Sequence, residues 1–203
     1  MPNWCDTTYY CVSDKKEDIK ELVNVLKTLD IQSDIDNHGG DIYIRSVVSV
    51  LGGDYENLSL RGSVIGYDDL GDGVVMHQLT AWSELSDFRE FLEFRFPGMK
   101  IYYLADEPGN GFLETNDFLG QYITARYVLE IMDDRKKIEL SRDYYSSLEE
   151  VIDDLETITG LDYPKHFSRN NVDNVRNFAD IIESDLSSEE NKVYVNFDKI
   201  DIV

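Results

Sequence analysis

Glu107-Pro108-Gly109-Asn110-Gly111-Phe112 is the most distinctive local arrangement in the chain. Two glycines flanking an asparagine permit positive φ and let a ligand or a second stretch of backbone approach closely. Trp4, Trp82 and Tyr103 are expected at or beside strand ends near this loop. The segment Ala105–Phe112 therefore reads as a recognition pocket with an aromatic floor and Glu107 as its polar contact. The structural alternative is a tight turn packed on two tryptophans, whose rings carry large apolar area into a core. The candidate binding residues are Trp4, Trp82, Tyr103, Glu107, Gly109, Asn110, Gly111 and Phe112.

Other chemistries lack a motif. His38, His77 and His166 are the only histidines, and none has a partner at metal-ligand or protease spacing. Cys5 and Cys11 are too few for a disulfide framework or a zinc site of their own, and neither has a nucleophile signature. The serines lack a nucleophile elbow, and there is no Gly-rich phosphate loop ending in Lys. Asp34-Ile35-Asp36-Asn37-His38-Gly39 opens like a calcium loop, but Arg45 stands at the twelfth position, where a bidentate Glu is required. No catalytic residue, metal ligand or cofactor is therefore assigned. A carboxylate-metal hydrolase would rest on the abundance of Asp and Glu alone.

That abundance is itself informative. The 203 residues hold 41 acids and 19 bases, a net charge of −22, with a pI near 4.3. Lys and Arg supply most of the grip on nucleic-acid phosphates, so direct nucleic-acid binding is not expected. The acidity is spread evenly, with 22 acids and 9 bases in residues 1–120 and 19 and 10 in residues 121–203, unlike an acidic tail. Carboxylates crowd two predicted helices, Glu149, Glu150, Asp153, Asp154 and Glu156 on one and Asp173, Asp180, Glu183 and Asp185 on the next. They read as a solvated face, or alternatively as an imitation of phosphate spacing that would occupy a basic groove on a nucleic-acid-binding protein. No apolar run approaches the roughly 20 residues of a membrane span. Met1–Asp6 carries no basic-then-apolar signal pattern. A cytoplasmic protein with no membrane partner is expected, and the oligomeric state is left open.

The elements that must position these residues follow from periodicity. Thr7–Val12 is a strand rich in β-favouring residues. Asp14 and Glu17 form a capping-box pattern before Ile19, Leu22, Val23, Leu26 and Leu29 at helical spacing. Residues 30–57 read as a polar insertion broken by an apolar stretch, Ile42–Val50. Leu58–Val64 alternates as a half-buried strand, Asp68–Gly73 turns, and Val74–Thr80 is its antiparallel partner. Ser83 is placed to cap a helix with Leu85, Phe88, Phe91 and Leu92 inward, Pro97-Gly98 stops it, and Lys100–Leu104 is a further strand. The order β-α-β-β-α-β over residues 1–120 predicts an α+β, ferredoxin-like domain: an antiparallel sheet with two helices on one face. Residues 121–203 read as a ββααβ unit or an extension of that sheet. They comprise a hairpin turning at Asp133–Arg135, a helix with a Ser147/Glu150 capping box closed by Gly160, a helix from Val172 to Ile182, and a last strand from Val193. The apolar phase of that strand breaks near Asp198.

Two stretches resemble a known family. Met1-Pro2-Asn3-Trp4-Cys5 running straight into a strand resembles the opening of the YubB-type ferredoxin-like family. Leu79-Thr80-Ala81-Trp82-Ser83 before a helix, then Phe96-Pro97-Gly98 and Glu107–Phe112, is similar to that family's Trp-bearing strand end and its glycine loop. The resemblance covers about the first 115 residues; Leu113-Glu114 departs from the small or Cys residue expected there. It implies the ferredoxin-like fold and a protein of plasmids, prophages and other mobile elements, and it implies no reaction. The expectation is a non-enzymatic binding module whose partner is a protein. The alternatives are an acidic antagonist of a basic DNA- or RNA-binding protein and a carboxylate-metal hydrolase.

Overall fold

Alternation of side chains along one central strand organises the first part of the chain. The computed structural model describes residues 3–35, 41–133, 138–188 and 191–203. In β1 (Trp4–Ser13) Cys5, Thr7, Tyr9 and Cys11 are buried, whereas Trp4 and Asp6 on the other parity are exposed. The elements that follow are α1 (Lys16–Ile35), β2 (Ile42–Tyr43), α2 (Ile44–Val50), β3 (Gly62–Asp69), β4 (Gly73–Ala81), α3 (Ser86–Arg95), β5 (Met99–Glu107) and β6 (Phe112–Thr115). Then come β7 (Tyr127–Asp133), β8 (Ile138–Tyr145), α4 (Leu148–Thr159), α5 (Val172–Leu186), β9 (Val193–Lys199) and β10 (Asp201–Ile202). The α+β class expected from periodicity is the class observed.

The chain divides into two compact units, Met1–Ile123 with Ile202–Val203, and Thr124–Asp201. In the first, the strands run β10-β6-β5-β1-β4-β3-β2. β1 pairs antiparallel with β4 and β5, β4 with β3, β3 with β2, and β5 with β6. One face of this sheet is closed by helices. Ile19, Leu22, Val23 and Leu26 of α1, Val47 and Val48 of α2, and Phe88 and Leu92 of α3 share a core with Cys5, Tyr9 and Cys11. Tyr9 stacks on Phe88 with ring centroids 6.1 Å apart.

Three local outcomes differ from the sequence expectation. α1 continues past Asp30 to Ile35, and the Ile42–Val50 stretch forms β2 and α2 rather than an interrupted loop. Strand β3 begins at Gly62, so residues 58–61 precede it. Ser83 does not cap α3: the helix starts at Ser86, Leu85 holds the N-cap position, and no side chain caps it. The Ser83 carbonyl instead accepts from the Thr80 hydroxyl at 2.7 Å.

In the second unit β7 lies between β8 and β9, antiparallel to both. Leu129, Ile131, Val151, Leu155, Val175, Phe178, Ile182, Val195 and Phe197 form its core. The Ser147/Glu150 capping box is present, and Gly160 ends α4 at φ 76°, where a side chain would be strained. Asn171 caps α5 by accepting from the Asp173 and Asn174 N–H groups. The phase break expected near Asp198 is the end of β9 at Lys199. Ile200 is buried beyond it, and its N–H donates to the Arg126 carbonyl at 2.9 Å.

Candidate functional site

The pairing register decides what shares a sheet end. Trp4 stands opposite Ala81 across β1 and β4, and the next residue, Trp82, donates its N–H to the Asn3 carbonyl at 3.0 Å. On the other side of β1, Asp6 stands opposite Asp106, so the turn that follows Glu107 falls at the same end as Trp4. The chain's two tryptophans thus end adjacent strands beside the β5–β6 turn. Trp4 is 44% exposed and Trp82 51%. Trp82 also has φ +75°, a left-handed backbone that L-residues adopt at a cost of about 1–2 kcal/mol.

The turn is built from within. Glu107 is buried, and its carboxylate accepts from the Gly109 N–H at 2.8 Å and the Asn110 N–H at 2.9 Å. The Gly111 N–H donates to the Pro108 carbonyl at 3.3 Å, with Gly111 at φ +67°. At Gly109 the Asn3 side chain packs so closely that a Cβ would lie 2.6 Å from its Nδ2. Asn3 therefore contacts both halves of the site, Trp82 through its carbonyl and the turn through its amide. Asn3 belongs to the opening motif, and neither its type nor its position in the sequence marks it for this linking role.

Of the candidate residues, the structure brings together Trp4, Trp82, Gly109, Asn110 and Gly111 at one exposed end. Glu107 supports them from below, and both its oxygens are occupied by the turn. Phe112 is half-buried and packs against the core of the first unit. Tyr103 belongs to that core rather than to the exposed end. It is 5% exposed, its ring lies 6.4 Å from Tyr9, and its hydroxyl donates to Glu114 at 2.5 Å. Burial first, then the Glu114 carboxylate, pushes the Tyr103 phenol well above the ordinary tyrosine range.

Tyr103 joins an internal polar cluster. The Tyr9 hydroxyl donates to Glu84, whose same oxygen accepts from Arg89 Nε at 2.9 Å, and the Arg89 guanidinium lies 5.6 Å above the Tyr103 ring. Burial raises the Glu84 pKa against the opposing pull of Tyr9 and Arg89. These groups tie α3 and the segment before it to β1 and β5. Asp6 and Asp106 form a second uncommon pair, two carboxylates directly opposite one another. Burial, then the Asp106 charge, raises the Asp6 pKa.

The remaining sequence features are placed as follows. Asp36–Gly39 of the calcium-like opening, with His38, lies outside the described residues. His77 is exposed on β4 with Nε2 3.5 Å from Asp68. His166 packs edge-on to Phe167. Cys5 and Cys11 are free and buried, and burial pushes both thiols up. Among the described residues no group of three or more His, Cys, Asp or Glu is arranged to hold a metal ion, and no helix is long and apolar enough to cross a membrane.

The acidic helices are more internally committed than their sequence suggests. Arg169 lies 3.0 Å from Glu149, 2.6 Å from Asp153 and 3.6 Å from Glu156, while its guanidinium covers the Tyr163 ring. Glu150 is spent in the capping box, and Asp154 accepts from the Tyr145 hydroxyl at 2.9 Å. On α5, Glu183 accepts from the Val195 N–H at 2.6 Å. In comparisons with known proteins, no family model, curated protein or solved structure matches the chain.

Proposed function

We propose that this chain is a non-enzymatic protein-binding module and that its contact surface is the sheet end formed by Trp4, Trp82 and the Pro108–Gly111 turn. The observation that carries the reading is the exposure of both tryptophans at one place, with one of them held in a left-handed backbone. A glycine at this position would carry no such strain, and the exposed half of the indole adds nothing to the core. Strained positions of this kind concentrate at ligand contacts. Tryptophan is also the residue type most over-represented among the residues that dominate protein interfaces. The buried Glu107 carboxylate and the Asn3 side chain fix the turn beside it, so the surface is preorganised and its ordering cost on binding is small.

The strand order β5-β1-β4-β3, with α1 and α3 packed on one face, supports reading residues 1–115 as a ferredoxin-like unit carrying β2, α2 and β6 as additions. On that reading the resemblance to the YubB-type family stands as a proposal, and with it an origin on a mobile genetic element and a cytoplasmic location. The antagonist alternative is less well supported. Of the α4 carboxylates that would imitate phosphates, Glu149, Asp153 and Glu156 pair with Arg169, Glu150 caps the helix and Asp154 accepts from Tyr145.

The test is affinity capture from the producing cells with the intact chain and with a Trp4→Ser, Trp82→Gly double variant, at about 0.1 M and about 1 M salt. One discrete partner retained at both salt levels by the intact chain and lost by the variant supports the proposal. Capture indifferent to the tryptophans refutes the site, and capture that disappears entirely in high salt supports the antagonist reading instead.

A further inference from the structure

A second surface lies on the helix-bearing side of the first unit. The segment that ends α2 and the outward side of α3 enclose a cleft of about 570 Å³, within the range of about 300–1,000 Å³ typical of ligand clefts. Its bed is apolar, formed by buried Leu51 with half-buried Leu58 and Phe91. Gly53 lies so close to the Phe91 ring that a Cβ there would be 2.4 Å from Cε2, so backbone itself forms part of the floor. Phe94, one helical turn beyond Phe91, stands at the rim and is 85% exposed. No other large apolar residue of the described chain is left so far in water.

The rim is acidic. Asp54, Asp87 and Glu90 line it, and Arg95 is its one base. Arg95 is already engaged. It pairs with Glu21, donates to the Leu51 carbonyl at 3.3 Å, and lies 4.9 Å from the Phe96 ring centroid. Two of the three carboxylates are held in place. Asp87 accepts from the Ser59 N–H at 2.6 Å, and Asp54 accepts from the Glu56 N–H at 3.0 Å. A ligand small enough to sit inside the cleft would cover only the side of Phe94 that lines it, whereas a segment of chain lying along α3 covers more of this 85% exposed ring. A second copy of this protein is disfavoured by the net charge of −22 on each molecule.

We infer that this cleft docks a basic amphipathic helix of a partner protein, its apolar side chains on Phe91 and Phe94 and its Lys and Arg residues against Asp54, Asp87 and Glu90. This is the helix-in-groove mode, with charge complementarity setting orientation and association rate. The surface is separate from the tryptophan end, and the inference does not depend on it.

The probe is a synthetic helical peptide of Leu and Lys with Leu at i, i+3, i+4 and i+7. It is titrated into the isotope-labelled full chain beside a scrambled peptide of the same composition and a counterpart with Glu for Lys. The expected result is saturable binding of the first peptide alone, with amide shifts confined to Leu51–Leu58 and Asp87–Arg95. Phe94→Ser, at an exposed position that leaves the core intact, is expected to weaken it by about tenfold or more. A Glu90→Lys variant is expected to weaken it as well. Equal binding of the scrambled peptide, shifts spread over α4 and α5, or an unchanged affinity in Phe94→Ser overturns the inference.

Discussion

Trp82 is tied to Asn3 main chain to main chain, its N–H donating to the Asn3 carbonyl at 3.0 Å, while the Asn3 side chain lies against Gly109. One short polar residue thus links the end of β4 to the turn between β5 and β6. The tryptophans and the turn are therefore linked through Asn3 rather than being three separate features.

The left-handed backbone at Trp82 makes a signed prediction. Glycine carries no penalty at φ +75°, whereas alanine keeps most of it. Trp82→Gly should be about 1 kcal/mol more stable than Trp82→Ala by urea denaturation. A Gly variant no more stable than the Ala variant would contradict the strain at this position.

Glu107 is expected to act on stability rather than on binding alone. Its buried carboxylate accepts two turn amides, and hydrogen bonds to a charged group are worth about 1.5–3 kcal/mol. Glu107→Ala should lower stability by about 2 kcal/mol. Gly109→Ala should also destabilise, because its Cβ would collide with Asn3. Unchanged urea midpoints in both variants would contradict the turn described above.

The paired carboxylates Asp6 and Asp106 predict a pH dependence of definite sign. A folded pKa raised by burial and by a like charge means that the native state favours the protonated form of Asp6. Stability is therefore full below the unfolded value of about 3.9 and falls as pH rises through the raised folded value. Asp6→Asn should remove that fall, giving a gain of under about 1 kcal/mol at pH 7 for this exposed group and no gain below about pH 4. Melting temperatures across pH 3–8 would check it. A variant less stable than the parent at pH 7 would refute it.

Arg169 holds three carboxylates of α4 and covers Tyr163. Arg169→Ala should cost about 1 kcal/mol at low salt and less at 1 M, where exposed pairs are screened. Stability loss that is the same at both salt levels would assign the residue's contribution to packing over Tyr163 instead.

What could be read without coordinates, and what could not, has physical reasons. Strands β1, β4 and β5 alternate because one face of each is buried, and alternation is visible in the residues themselves. The same parity, Ile101, Tyr103 and Ala105, puts Tyr103 in the core, although its aromatic character suggested a pocket floor. Ser83 is a good cap by type, yet α3 starts three residues later and without a side-chain cap. Glu84 is turned inward, bonded to Tyr9 of β1 and to Arg89 of α3, and the helix begins two residues later at Ser86; the Tyr9 contact has no local mark in the sequence. A positive φ at a tryptophan likewise leaves no trace in composition. Glu107 was recognised as a polar anchor, but its acceptor sites serve the turn's own amides. The acidic helices read as a solvated face, and the pairing of Arg169, ten residues beyond the end of α4, with three α4 carboxylates has no mark in helical spacing.

The binding account is tested most directly by placing a photo-crosslinking residue at Trp4, at Trp82 and, as a control, at exposed Tyr194 of β9, then irradiating the producing cells. The account predicts one adduct of the same mass from the first two positions and none from Tyr194. Adducts equally abundant from all three positions, or none from either tryptophan position while Tyr194 forms one, would contradict it.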